Sequence, residues 1–558
     1  MMRFLKEAEL FSSENCLNYL GRISQFHRIQ GSRELYDAVR MIKGELDDMG
    51  VENTLYEETY DGSSTYGTLQ SPIAWELVSA EVEVEGGKRI TSQVTPLVAM
   101  AHSPSGEADG EVLPILREED WKEAEGKVVL VGKDWRNAYR RANEAGARGF
   151  IAYRKGTGRY VPYIGLFLTR EDLEWASIPA VAIPEVTAEE LMSKKRRVSI
   201  RVVSEMKRRE VLPVLHARIG EPPFVTFTAH ICHPKPGAND NASGSAMLME
   251  LARILKAMHG KQSRFGFSFL WIPEYYGTQA FTGKYMRPEE HYVVINLDMV
   301  AGSPDRSGST LMAVRTPLSR FSMVSGLLER FLEAANSRGR SLRGEPMPLI
   351  PQRAYSYEMG SDHDVFNFHG VPGVMAITWP DRFYHSSGDT IEKVSLDTIG
   401  VIGRGVTATA LFLAFADKGE LEGFAKAYSM AYLGELGMKR KVEVAGRLVM
   451  DGLARDSRFM GFEGGQELNG EGWLRWRERG IINERLIERR KPELAKEFKK
   501  LMEDKGITVH LHEAVMLGEK VGREDTFKAL EEEFGSVERE KVEKLLEIAE
   551  AAGLVELS

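Results

Sequence analysis

The run Phe227-Thr228-Ala229-His230-Ile231-Cys232-His233-Pro234, with Gly237-Ala238-Asn239-Asp240-Asn241-Ala242-Ser243-Gly244 close behind it, constrains this chain more than any other segment. Its apolar and β-branched start reads as a buried strand. The strand stops at a histidine, and a glycine-bearing turn then presents an aspartate at the start of a helix. A strand with no polar face needs cover on both sides, so it belongs in a sheet sandwiched by helices. It also delivers two metal-ligand side chains at a strand's carboxyl end, where open α/β sheets bind their ligands.

The text around it keeps that rhythm. Apolar runs at 225–229, 265–271, 292–297 and 374–378 alternate with helical patterns. In 243–257, Leu248, Leu251, Ala252 and Leu255 share one face. A long helix over about 395–416 closes the series. The expected class is α/β, a mostly parallel or mixed sheet between helices. Residues 14–50 read as amphipathic helices, with Leu35, Val39, Ile42 and Leu46 on one stripe and Gly50 as the stop. From about 70 to 210 short β-branched runs dominate, and one clear helix, 138–145, interrupts them. After about 420 the chain is charged and helical, ending as helix 526–534, helix 538–552 and a short strand 554–557. Three units are expected: 1–65 with 212–420, a β-rich insert at 66–211, and a helical C-terminal domain at 421–558. That last unit reads as a packing or oligomerisation appendix, with a winged helix as the alternative.

Bulk composition narrows the setting. The 558 residues are 43% hydrophobic and 28% charged, as in a globular protein, and too many for one ordinary domain. A net charge of −9 argues against nucleic acid as a dominant partner. Two cysteines, Cys16 and Cys232, give no disulfide framework and fit a reducing compartment. The first residues show no apolar leader, and no run approaches the length of a membrane span. The expectation is a cytoplasmic protein without a membrane partner, with the C-terminal domain as the natural surface for a homo-oligomer.

Three more ligand-type residues fall at later strand ends: Glu274, Asp298 and His385. Each has a bland reading. Asp240 reads equally as a helix cap and His385 as a surface histidine. His233 reads as a second ligand or as a turn residue beside Pro234. Cys232 reads as a small buried residue rather than a nucleophile. Together, His230, Asp240, Asp298 and His385 have the imidazole and carboxylate groups that zinc takes in hydrolytic sites. An aspartate between two ions would let them act together on a carbonyl and a water.

At this point the residues resemble a known family, the zinc aminopeptidases of the aminopeptidase, glutamate carboxypeptidase and glutaminyl cyclase superfamily. The family's Ala-His-x-Asp and Gly-Ala-x-Asp-Asn-Ala-Ser-Gly motifs are matched by Ala229-His230 and by Gly237 to Gly244. Asn296-Leu297-Asp298-Met299, Ser361-Asp362-His363 and Tyr384-His385 with Asp389-Thr390 match its later motifs, and His27 to Ser32 its N-terminal part. The resemblance implies one or two zinc ions on His230, Asp240, Asp298 and His385, with Glu274 as general base. It implies a peptide or acylated amino-acid substrate. The insert resembles a protease-associated domain, on Glu125 to Val131, Ala142 to Ile151 and Ser177 to Pro184. Two positions depart from the pattern. Cys232 stands where an aspartate orients the histidine, which leaves His230 short of an acceptor. Tyr275 stands where a second glutamate binds metal, which leaves Glu274 as base or, in a shifted register, as ligand. A glutaminyl cyclase-like cyclotransferase and a non-catalytic binding protein on the same scaffold are the competing readings.

Overall fold

The structure is a computed structural model that describes residues 1–558 except 195, 261, 469, 471 and 505. Its centre is an eight-stranded mixed sheet. The strands are β1 (Glu52–Tyr60), β2 (Glu210–Ile219), β3 (Phe224–His230), β4 (Gly266–Ile272), β5 (His291–Asp298), β6 (Thr310–Val314), β7 (Gln352–Tyr355) and β8 (Gly373–Trp379). Their spatial order is β1-β2-β4-β3-β5-β8-β6-β7. β3 lies parallel to both β4 and β5, and β5 parallel to β8, while β1–β2, β2–β4 and β6–β8 run antiparallel. The four apolar runs of the sequence are β3, β4, β5 and β8. Every residue of β3, β4 and β5 is buried, as strands covered on both faces must be.

The cover follows from handedness. The chain steps from β3 outward to β4, then back across β3 to β5. Right-handed crossovers in opposite directions put their helices on opposite faces. The first crossover helix is Gly244–Met258 and the second Tyr276–Lys284. Helix Gly244–Met258 packs with Ser13–Ile23 and Arg33–Asp48, whose stripe Leu35, Val39, Ile42 and Leu46 is fully buried. Leu396–Phe415 completes that layer. By length and composition this helix is apolar enough to cross a membrane, which corrects the expectation that no run comes near that length. Yet 89% of its apolar stretch is buried inside the protein, as in a core helix.

The β-branched text forms a seven-stranded sheet of its own, from Ala74–Val84 to Arg197–Lys207, with a separate apolar core on each face. Among the described residues it has two α-helices rather than the one expected. Trp135–Glu144 was legible, but Glu185–Ser193, weakly amphipathic and begun by Pro184, was not. The C-terminal segment packs around a further core, and Val555–Leu557 pairs antiparallel with Leu474–Trp476.

Candidate metal centre

Three strand ends and two loops converge on one cavity of about 710 Å³. His230 is the last residue of β3 and Asp298 the last of β5; Glu274 stands two residues past β4. His230, Glu274 and Asp298 offer ligand atoms within 4.8 Å of one another. Asp240 reaches in from the turn after β3, and His385 from the loop after β8. All five residues singled out in the sequence therefore meet.

Asp240 is the hinge of the arrangement. Its Oδ1 stands 3.3 Å from His230 Nε2, which is also 3.4 Å from Asp298 Oδ1. Its Oδ2 stands 3.1 Å from His385 Nε2 and 3.3 Å from His233 Nε2. Asp240 is thus no helix cap. Asp389 accepts hydrogen bonds from the backbone N–H of Asn239 and of Asp240, at 2.8 and 2.9 Å. The asparagines on either side tie the turn to the end of β5. Asn241 Oδ1 accepts from Met299 N–H, and Asn239 Oδ1 from Ala301 N–H. Gly244 is obligatory here, because a Cβ would lie 2.2 Å from the carbonyl of Leu297.

The other ligands are held as firmly. His230 Nδ1 donates to the backbone carbonyl of Cys232 at 3.0 Å. The acceptor missing from the Cys232 side chain is supplied by its main chain, which removes the concern raised by the sequence. The Cys232 thiol instead accepts the Glu274 N–H at 3.1 Å. Ser361 Oγ donates to Asp298 Oδ2 at 2.8 Å. Arg28, fully buried, donates to the carbonyls of Ile231 and Gly237 and so pins both ends of the turn that carries His233. Sequence reading quoted Arg28 only as part of a matching segment; its role depends on contacts more than 200 residues away. Tyr275, Met299 and His385 all have positive φ, at 58°, 53° and 50°. Such backbone strain gathers at functional sites.

Burial drives the protonation of these groups apart. Glu274 is pushed well above the carboxylate range by burial, reinforced by Asp298, Asp362 and Asp240 and opposed by His230. For Asp240 burial acts upward, but His233, His230 and His385 outweigh it and hold the carboxyl well below its usual range. Burial disfavours a charged His230, yet Glu274, Asp298 and Asp240 raise it well above the ordinary imidazole value. Burial lowers His385, with Asp240 opposing. Asp362, which accepts from Tyr275 N–H and Thr278 Oγ1, is pushed up to about 6 by burial.

The donor set fits a cation. Ligand atoms about 2.0–2.1 Å from a tetrahedral ion stand about 3.3 Å from one another, and the Nε2–Oδ separations at Asp240 are 3.1 to 3.3 Å. Asp298 Oδ1 and His233 Nε2 are buried without any hydrogen-bond partner, which is costly unless something else engages them.

The insert closes one side. Arg154, Tyr163 and Phe167 face Met312, Tyr355 and Trp379 across the cavity. Tyr163 N–H donates to the His385 carbonyl at 2.7 Å, and Ser387 N–H to the Val161 carbonyl at 2.8 Å. From the C-terminal segment Arg485 donates to the carbonyls of Leu166 and Phe167. Of the aromatics expected at the pocket, Trp379 lines it. Tyr357 is buried with its hydroxyl on Asp364, and Phe383 is buried against Tyr160.

Known proteins share this architecture. A zinc aminopeptidase structure from Bacillus subtilis aligns with 73% of this chain and 96% of its own, at 18% identity and a TM-score of 0.53. A Clostridium acetobutylicum structure, described as a candidate peptidase, aligns with 100% of this chain and 99% of its own, at 12% identity and a TM-score of 0.54. At these identities the likeness is one of fold. Among curated proteins, Aminopeptidase YwaD of Bacillus subtilis (strain 168) is 25% identical over 306 residues, 51% of this chain and 62% of that protein. The chain thus spans less than two thirds of that relative's length. Residues 215–410, which carry every side chain from His230 to His385 described above, match Peptidase family M28, so the resemblance to the zinc-peptidase superfamily read from the sequence holds.

Proposed function

We propose that this chain is a zinc-dependent hydrolase of peptide or N-acyl amide bonds, most simply an aminopeptidase. The observation that carries this reading is the convergence of His230, Asp240 and Asp298 at tetrahedral-edge spacing beside Glu274, in a cavity large enough for a peptide end. The name of the curated relative favours cleavage from the amino end. Zinc, when bound, would polarise the scissile carbonyl and acidify the attacking water.

The chain's own residues supply the rest. His230 and Asp298 enter from adjacent parallel strands, so sheet hydrogen bonds fix their separation. Glu274 hydrogen-bonds to none of the ligands, and its carboxylate is free to take the proton of the attacking water and deliver it to the leaving amine. Burial makes that carboxylate a stronger base than an exposed one, and a cation held by His230, Asp240 and Asp298 would oppose that shift. Phe167 and Trp379 give the cavity apolar walls that limit water around the reacting bond.

The test is an assay of the purified, zinc-supplied protein on amino-acid amides, peptides and acylated amino acids. Hydrolysis of at least one class is expected. No hydrolysis before or after metal addition overturns the proposal. Conversion of an N-terminal Gln peptide to pyroglutamate without hydrolysis would assign the cyclotransferase reaction instead.

A further inference from the structure

The position that departs most from the family pattern is Tyr275, and its side chain has left the metal centre. Its hydroxyl donates to Asp364 Oδ2 at 2.8 Å, beside Tyr357, which donates to Asp364 Oδ1 at 2.9 Å. No carboxylate approaches the Oδ2 side of Asp240 among the described ligand groups. What stands there is His233.

The His233 ring has one orientation that satisfies its surroundings. Nδ1 lies 2.8 Å from the carbonyl of Pro234, which can only accept, so Nδ1 carries the proton. In the neutral ring, the form that binds metal, the lone pair is then on Nε2. That atom is buried, has no hydrogen-bond partner and points at Asp240 Oδ2, 3.3 Å away. Facing a carboxylate oxygen 3.3 Å away in a dry site, that atom is satisfied either by a proton or by a metal ion between the two. His385 Nε2 approaches the same oxygen at 3.1 Å. The chain is shaped to hold His233 there. His233 N–H donates to the Arg28 carbonyl at 2.8 Å. Gly237, at φ +49°, lets the turn close so tightly that a Cβ would sit 2.4 Å from His233 Nδ1.

We propose that His233, Asp240 and His385 hold a second divalent ion of zinc type, with His233 taking the place of the carboxylate ligand that Tyr275 lacks. The inference rests on the reading of this cavity as a zinc site, and it adds a neutral imidazole where the family pattern has an anion. The second ion therefore keeps one more unit of positive charge than a carboxylate would leave it, and Asp240 is the only anionic ligand it has in this group.

The experiment is metal stoichiometry on the full chain. Metal-free protein is titrated with Zn²⁺ by calorimetry, and the loaded protein is analysed for zinc. Wild type is expected to bind two ions and His233→Ala one. X-ray absorption of the zinc-loaded wild type is expected to show about 1.5 imidazoles per ion, three shared by two, rather than about one. This second readout decides the matter even if the variant does not fold. Two ions in folded His233→Ala, or one imidazole per ion in wild type, overturns the proposal. A wild type that binds one ion also overturns it but leaves the hydrolase reading intact. A wild type that binds no zinc at any supply removes both.

Discussion

Two groups of buried carboxyls in this molecule relieve their charge in opposite ways. Around the strand ends, Asp240 and Asp298 face imidazole nitrogens with Glu274 grouped beside them, and two of the facing atoms have no hydrogen-bond partner among the described residues. Where the C-terminal segment meets the loop after β6, Glu513 and Glu533 lie close enough that charging both is costly. Glu513 also accepts from the N–H and Oγ of Ser319, at 2.8 and 2.7 Å, and Glu533 from the N–H of Leu318 at 3.0 Å. Burial pushes Glu513 up to about 7 and Glu533 well above the carboxylate range. That pair meets three donors from Leu318 and Ser319 and holds a proton in place of a cation, which makes it a fastener, with Glu533 Oε2 left without a partner among the described residues. The strand-end group is left short of positive charge, which makes it a receptor. Burial of acid does not by itself mark a functional site; the unmet demand for a cation does.

Glu274→Gln breaks the comparison most directly. It should reduce hydrolysis by roughly 10²–10⁴-fold while zinc content stays at the wild-type value. Loss of zinc in that variant would make Glu274 a ligand instead of the base. Chelation comes next. Removing the metal should destabilise the native protein by about 3–4 kcal/mol at metal concentrations several hundred times Kd, seen as a lower Tm that zinc restores. An unchanged Tm would mean that the strand-end carboxyls are satisfied without an ion.

The fastener predicts a pH effect. A carboxyl raised in the folded state binds more protons folded than unfolded between its two pKa values, so stability is full below about pH 4.5 and falls as pH rises to about 7. The loss should be on the order of 1–3 kcal/mol, and Glu533→Gln should flatten it. A wild-type stability that rises across that window contradicts the raised carboxyls. The smallest effect is expected from Ser361→Ala. It leaves Asp298 Oδ2 without its donor and should weaken zinc binding by about 10–100-fold, measured by competition with a chelator. Unchanged affinity would mean that Asp298 needs no orienting group.

The strand-end ligands were legible because each belongs to a short local pattern: an apolar run, then a polar stop. β3, β4, β5 and β8 were found for the same reason, since strands buried on both faces read as continuous apolar text. What escaped the sequence depends on contacts distant along the chain. His233 reads as readily as a turn residue as a second ligand until the Arg28 backbone and the Pro234 carbonyl fix its ring. Its spacing, three residues after His230 in a glycine-bearing turn, is the one signal that pointed to it. Cys232 looked like lost support because main-chain acceptors are invisible in a list of side chains. Glu513 and Glu533 carry no local signal in the sequence, and only packing against Leu318 and Ser319 shows them to be buried.

The clasp between Tyr163 and the carbonyl of His385 bears on how this molecule can be taken apart. One metal-ligand loop is fastened from outside its own sheet, and the fastening segment is in turn gripped by Arg485 from the far end of the chain. The insert is therefore not a module to be trimmed in search of a minimal enzyme. A protein shortened at the insert would retain the strand ends and lose the tether on the His385 carbonyl.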